Sequence, residues 1–181
     1  MPISSASCNF NWKPKDFHLY DLNEKRISFY ESFGKKGLVV LFICNHCPYV
    51  QSIEKKIKYE TDKLKDIGVN SIAIMSNDQD HYEEDSNLNL RKQLSRTHFN
   101  FPYLLDLDQN IAQLFNALCT PDFFGFNSLA TLQYRGRLDS LGKDAEMGNR
   151  ELYDSMKDIA ENNYTNKPQF PSMGCSIKWK L

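Results

Sequence analysis

Seven consecutive residues without a polar side chain other than a thiol, Leu38-Val-Val-Leu-Phe-Ile-Cys44, follow Gly34 and Gly37 and constrain the fold more than any other stretch of the chain. The run is too short for a helix and continuously apolar. That suits a central strand covered on both faces rather than a half-exposed one, whose residues would alternate. Directly after it, Pro48 occupies a position tolerated in a first helical turn, and Val50, Ile53, Ile57, Leu64 and Ile67 recur at helical spacing until Gly68. Val69–Met75 is a second apolar strand, and Ser86–Thr97 reads as a helix with Leu88, Leu90 and Leu94 on or near one face. Strand, helix, strand and helix in succession imply crossover connections.

The rest of the chain fits around that unit. Tyr103–Leu105 reads as a short strand, Asp108–Phe115 as a short helix, Phe123–Asn127 and Thr131–Arg135 as an antiparallel pair, and Leu152, Met156 and Ile159 mark a closing helix. Upstream, Phe17–Leu22 and Arg26-Ile-Ser28, joined through Asp21-Leu-Asn23, suggest a hairpin extension. The expected fold class is α/β with a central mixed sheet flanked by helices. No Pro, Gly or Ser linker divides the chain, which gives an N-terminal arm over residues 1–14, one domain over 15–165 and a tail over 166–181 packed on it.

At 181 residues with 41% hydrophobic and 25% charged side chains, the chain can bury its own core without disulfides. A net charge of -1 provides no global basic field, so neither nucleic acid nor an anionic membrane is expected as a partner. Met1–Phe10 lacks the basic and apolar regions of a secretory signal, and the longest apolar run falls far short of the roughly 20 residues a membrane span needs, so a cytoplasmic location is expected. Five cysteines in that setting favour reduced thiols, metal ligands or redox chemistry over a disulfide framework.

Two of those thiols carry the functional reading. Cys44-Asn-His-Cys47 joins the end of the buried strand to the start of the helix. Unpaired N–H groups and the helix dipole at such a junction stabilise a thiolate, and the expectation is that Cys44 is the more acidic and exposed thiol, attacking a disulfide that Cys47 then resolves. His46, between them, adds positive charge or a hydrogen bond. Spacing alone leaves zinc open, since C-x-x-C is also half of a zinc site. Its other ligands would have to come from the scattered Cys8, Cys119, Cys175, His18, His81 and His98. No metal or other cofactor is expected.

The segment Cys44-Asn-His-Cys-Pro-Tyr-Val50, the long helix after it and Thr120-Pro121 before Asp122-Phe-Phe-Gly-Phe126 resemble thioredoxin-fold redoxins, the branch shared by thioredoxin-like and peroxiredoxin-like proteins. Tyr134-Arg-Gly-Arg-Leu-Asp139 and Pro171-Ser-Met-Gly-Cys-Ser-Ile-Lys-Trp179 extend the resemblance over about residues 15–180. It implies a cis Pro121 beside the cysteine pair and a Thr120 whose backbone binds a peptide or thiol. The chain departs from thioredoxin in having Ile43 before the first cysteine and Asn-His between the two. A histidine at position 46 resembles protein disulfide isomerase and the oxidising periplasmic oxidases, and implies a less reducing pair.

The resemblance implies a thiol-disulfide oxidoreductase acting on protein or small-molecule disulfides and thiols, recycled by an unidentified dithiol reductant. It leaves two alternatives. Peroxiredoxins place their peroxide-attacking cysteine at a position like Cys47, but with a threonine where this chain has Cys44, and copper-assembly redoxins bind metal through more widely spaced cysteines. Cys119 and Cys175 are candidate further redox thiols. Arg135 and Arg137 are candidate electrostatic partners of a thiolate or anionic substrate, with a solvated strand end as the plainer expectation. Asn77, Asp78, Asp80, Glu83, Glu84 and Asp85 read as helix capping and solvated charge.

Overall fold

The computed structural model describes residues 2–180; Met1 and Leu181, the outer ends of the expected arm and tail, lie outside the described residues. In chain order the elements are β1 (Pro2–Ser4), β2 (His18–Asp21), β3 (Arg26–Ser28), β4 (Gly37–Phe42), α1 (Pro48–Asp66), β5 (Val69–Met75), α2 (Asn87–Thr97), β6 (Tyr103–Leu105), α3 (Asn110–Leu114), β7 (Cys119–Thr120), β8 (Asp122–Asn127), β9 (Leu132–Gly136), α4 (Glu151–Asn162) and β10 (Met173–Ser176). Short 3-10 turns occupy Tyr30–Ser32 and Glu83–Asp85.

The central sheet is mixed. One ladder runs β3-β2-β6-β5, with β5 and β6 parallel, and the other runs β4-β8-β9, all antiparallel. They meet where the Ile43 N–H donates to Ile74 O at 3.2 Å. The apolar run is buried on both faces, as its composition requires. Val39, Leu41 and Ile43 pack on one side with Ile53, Ile57, Leu152 and Met156 from α1 and α4. Leu38, Val40 and Phe42 pack on the other with Phe29, Phe115, Phe124 and Phe126. Each fully buried side chain of this size contributes roughly 1.5–3 kcal/mol.

The hairpin forms as expected, and its turn has a visible cause: Asp21 Oδ1 accepts from the N–H groups of Asn23 and Lys25 at 2.8 and 2.9 Å. The chain ends build something periodicity does not announce. β10 is the middle strand of a second, small antiparallel sheet in the order β1-β10-β7. Its residues pair with both the N-terminal arm and the segment before Pro121. Among the described residues, no helix is long and apolar enough to cross a membrane.

Candidate active site

The regular pairing of β4 ends at Phe42 and α1 begins at Pro48, so residues 43–47 form a connecting loop and Cys47 is the helix N-cap. This moves the helix terminus three residues along from Cys44. The expected order of acidity reverses with it. Burial, the hydrogen bond to Cys47 and the nearby Asp85 charge push the Cys44 thiol well up. Cys47 falls to about 5 because Cys44 supplies it with a hydrogen bond, supported by Thr120 and by the backbone N–H groups of Cys175 and Val50. The two thiols titrate together, Cys47 being the more acidic, and when protonated the Cys47 thiol donates to Thr120 O. Exposure does not separate them: Cys44 is 1% exposed and Cys47 0%.

Thr120 lies against both sulfurs. Its hydroxyl is 3.4 Å from Cys44 Sγ and its carbonyl oxygen 3.1 Å from Cys47 Sγ, and the Thr120–Pro121 bond is cis. Its backbone edge, expected to receive a peptide, is paired with the chain's own β10, in which Cys175 is the register partner of Thr120. Gly174 makes the approach possible, since a Cβ there would stand 1.9 Å from the Thr120 carbonyl oxygen. Beside Pro121 a groove of about 390 Å³ is lined by Tyr49, Ile53, Phe123, Leu138 and Met173.

The residue that sequence reasoning missed is Asp85. Read as one of several solvated acids, it is instead fully buried. Its Oδ1 accepts from the N–H groups of Asn45 and His46 at 2.8 and 3.0 Å, and its Oδ2 from His46 Nδ1 and Asn77 Nδ2 at 2.6 and 2.8 Å. Burial pushes the carboxyl up, but the hydrogen bonds from His46 and Asn77 prevail and hold it below its ordinary value. In return, Asp85 raises His46, favouring the imidazolium. His46 Nδ1 also lies 3.9 Å from Cys44 Sγ, and the ring stacks on Tyr82 at 5.6 Å between centroids. Asp85 thus holds the loop between the cysteines and favours the charged form of its histidine. The only sequence signal was proximity to the end of the second strand, which does not reveal which of six polar residues turns inward.

Cys44, His46 and Asp85 bring one donor atom each within 4.8 Å of one another. The carboxylate and His46 Nδ1 are engaged with each other, and the carboxylate also holds the loop N–H groups. Arg135 is a buried ion pair and not a solvated strand end: its Nη2 donates to Asp122 Oδ2 at 2.9 Å and to Asn116 O at 2.8 Å. Arg137 forms a two-pronged bond with Glu151 at 2.7 and 2.9 Å. Both cations are therefore committed to carboxylates. Cys119 is fully buried with its thiol pushed up, chiefly by burial, whereas the half-buried Cys175 packs on the core cluster that contains Cys44 and Cys47.

The chain matches the AhpC/TSA family over residues 12–138, more than half its length. It is similar to an uncharacterized conserved protein of Geobacillus kaustophilus, with 30% identity over 99% of this chain and 97% of that one and a TM-score of 0.94. A hypothetical protein of Sinorhizobium meliloti 1021 shares 28% identity over 98% of each chain, with a TM-score of 0.91. The thioredoxin domain of a thiol-disulfide oxidoreductase from Bacteroides vulgatus, at 11% identity over 85% of this chain and 99% of that one, shares the fold with a TM-score of 0.65. No curated protein matches the sequence. With a family match across the sheet and both cysteines, and a thioredoxin-like arrangement of strands and helices around them, the chain belongs to the AhpC/TSA family of thioredoxin-fold redoxins.

Proposed function

We propose that the protein is a thiol-disulfide oxidoreductase that exchanges two electrons through Cys44 and Cys47. The observation that carries this reading is the geometry of the pair: Cys44 just past the end of β4 and Cys47 at the N-cap of α1 both lie against Thr120, whose hydroxyl is 3.4 Å from Cys44 Sγ and whose carbonyl oxygen is 3.1 Å from Cys47 Sγ, beside the cis Pro121. The Cys47 thiolate attacks one sulfur of a disulfide substrate, forming a mixed disulfide and releasing the first product as a thiolate. Cys44 then gives up its proton and attacks Cys47 Sγ; the Cys44–Cys47 bond forms and the second product leaves as a thiolate. One of the two leaving thiolates takes the Cys44 proton. His46, whose charged form Asp85 favours, supports the anionic steps. The substrates are protein or small-molecule disulfides that enter by the groove beside Pro121. A cytoplasmic dithiol reductant would return the pair to the reduced state.

A thiol peroxidase is the second reading, favoured by the placement of the acidic thiol at Cys47, where peroxiredoxins carry theirs. Against it, neither Arg135 nor Arg137 is free to stabilise charge on a departing oxygen. Disulfide reduction and hydrogen peroxide consumption, measured in one dithiol buffer for the parent, Cys44→Ser and Cys47→Ser, decide between them. The expected result is fast disulfide reduction abolished in Cys47→Ser and slowed in Cys44→Ser, with iodoacetamide marking Cys47 first at mildly acidic pH. Fast peroxide consumption retained in Cys44→Ser and abolished in Cys47→Ser would establish the peroxidase instead.

A further inference from the structure

The pairing of β10 with β7 has a chemical content that a two-thiol cycle leaves unused. Directly opposed residues of an antiparallel pair project from the same face. Thr120 aims its hydroxyl at Cys44 Sγ, and Cys175 is its register partner, so the Cys175 side chain stands on the cysteine face of the small sheet. Alternation sends Cys119 and Ser176, the next pair in register, to the opposite face. Cys175 packs against the buried cluster that holds Cys44 and Cys47, and its proximity bears on the acidity of the Cys47 thiol.

The strand that presents Cys175 is held from several directions. β1 pairs along its other edge, placing Pro2 opposite Cys175 and Ile3 opposite Gly174. Beyond it, the Lys178 N–H donates to Asn77 Oδ1 at 2.8 Å and Gln109 Nε2 donates to Lys178 O at 2.8 Å. Asn77 is also a donor to Asp85, so one side chain ties the tail to the loop between the cysteines. Cys47 is therefore flanked by two thiols, Cys44 from its own loop and Cys175 from the far end of the chain.

We propose that Cys175 is a third redox thiol, competing with Cys44 for the Cys47 sulfur, so that the protein carries two alternative intramolecular disulfides. The inference deepens the Cys44–Cys47 reading and rests on it. The Cys175 thiolate attacks Cys47 Sγ of the Cys44–Cys47 disulfide; the Cys47–Cys175 bond forms, the Cys44–Cys47 bond breaks, and Cys44 leaves as a thiolate that takes the proton Cys175 gave up. No electrons leave the protein, so no further oxidant enters the step. At rest Cys175 is kept protonated, pushed up to about 11 by burial and by the adjacent Cys47 sulfur. Oxidation of Cys47 removes that neighbouring anion and leaves the Lys178 charge, which favours the Cys175 thiolate. The exchange thus becomes easier after the first disulfide has formed. Its product anchors β10 covalently to the N-cap of α1 and frees Cys44.

The test oxidises the full-length reduced protein with oxidised glutathione, quenches with acid, alkylates the free thiols and maps the linked peptides by mass spectrometry. The parent is expected to yield both Cys44–Cys47 and Cys47–Cys175. Cys44→Ser is expected to lose two thiols to a Cys47–Cys175 bond, with a short-lived glutathione adduct on Cys47. In Cys44→Ser/Cys175→Ser that adduct should persist at least about tenfold longer. If Cys44→Ser instead keeps the adduct while Cys175 is fully alkylated, the third thiol is overturned and the Cys44–Cys47 cycle stands. If the parent forms no Cys44–Cys47 bond, the two-thiol reading itself fails, whichever bond Cys175 makes.

Discussion

Two buried carboxylates, one hydrogen-bonded to the cysteine loop and one next to the cis proline, behave in opposite ways. Asp85 and Asp122 are both fully inaccessible. Asp85 receives hydrogen bonds at both oxygens from the cysteine loop and Asn77, and is held below its ordinary value. Asp122, next after the cis proline, has Arg135 on one oxygen, while its Oδ1 lacks a hydrogen-bond partner among the described residues. Burial outweighs the Arg135 charge and lifts it from 3.8 to about 6. Donor count and depth of burial together decide which carboxylate stays ionised through the acid range. Asp85 is a fixed charge for the site; Asp122 is an anchor for the sheet.

The largest expected effect comes from removing the cation beside Asp122. Arg135→Met leaves a buried carboxyl without its partner and should cost about 3–5 kcal/mol of unfolding free energy by denaturant titration at pH 7. The deficit should shrink at pH 5, where Asp122 takes up a proton. A loss under about 1 kcal/mol, unchanged by pH, would show that the pair does not anchor the sheet.

Linkage gives the two acids opposite slopes. The folded state binds a proton at Asp122 below about 6 and the unfolded state only near 3.8, so this group makes stability fall as pH rises between those values. The span is on the order of 3 kcal/mol. Asp85, depressed in the folded state, adds stability above its unfolded value of 3.8 that is lost as pH falls through its lower folded value. Asp122→Asn should therefore abolish the fall in stability between about pH 4 and pH 6. An unaltered profile would place that proton uptake elsewhere.

Asp85→Asn keeps the volume of the side chain but replaces one acceptor oxygen by a donor, leaving part of the loop unsatisfied at a cost of about 2 kcal/mol. In the same variant His46 should titrate nearer to its ordinary 6.5, followed by its ring proton resonances. Loss of stability with an unmoved His46 would make Asp85 a packing residue only. The smallest effect is expected from His46→Gln, which removes a cation that interacts with Cys47. The alkylation midpoint of Cys47 should rise by less than about one pH unit, and the pair should become more reducing against glutathione, because the reduced anion loses support. A more oxidising pair would assign His46 to the loop alone.

Much of this architecture is written locally. The continuous apolar run, the proline after the cysteines and the helical spacing of Val50, Ile53 and Ile57 determine a strand covered on both faces and a helix of the length observed. Cys44 and Cys47 were identifiable because the strand end and the helix start carry their own signal, whereas Thr120 and Pro121 were placed beside them only by the resemblance to thioredoxin-fold redoxins. Local pattern does not place a helix cap to the residue. The distance between Cys44 and Cys47 is only three positions, yet the cap falls on Cys47 and with it the lower thiol pKa.

What only the tertiary structure decided are the contacts made across long sequence separations. Asp85 reaches the cysteine loop from the polar stretch after β5, Asp122 meets Arg135 across the β8–β9 ladder, and Cys175 arrives on a four-residue strand too short and too polar to show a period. An inward-turned acid and a solvated one look alike in a sequence, since burial is a property of what packs against the side chain. A short strand whose register is set by Thr120 on one edge and by β1 on the other becomes a strand only when the chain ends meet. Side-chain periodicity is a local quantity, whereas hydrogen-bond satisfaction and thiol acidity are sums over neighbours that the fold brings together.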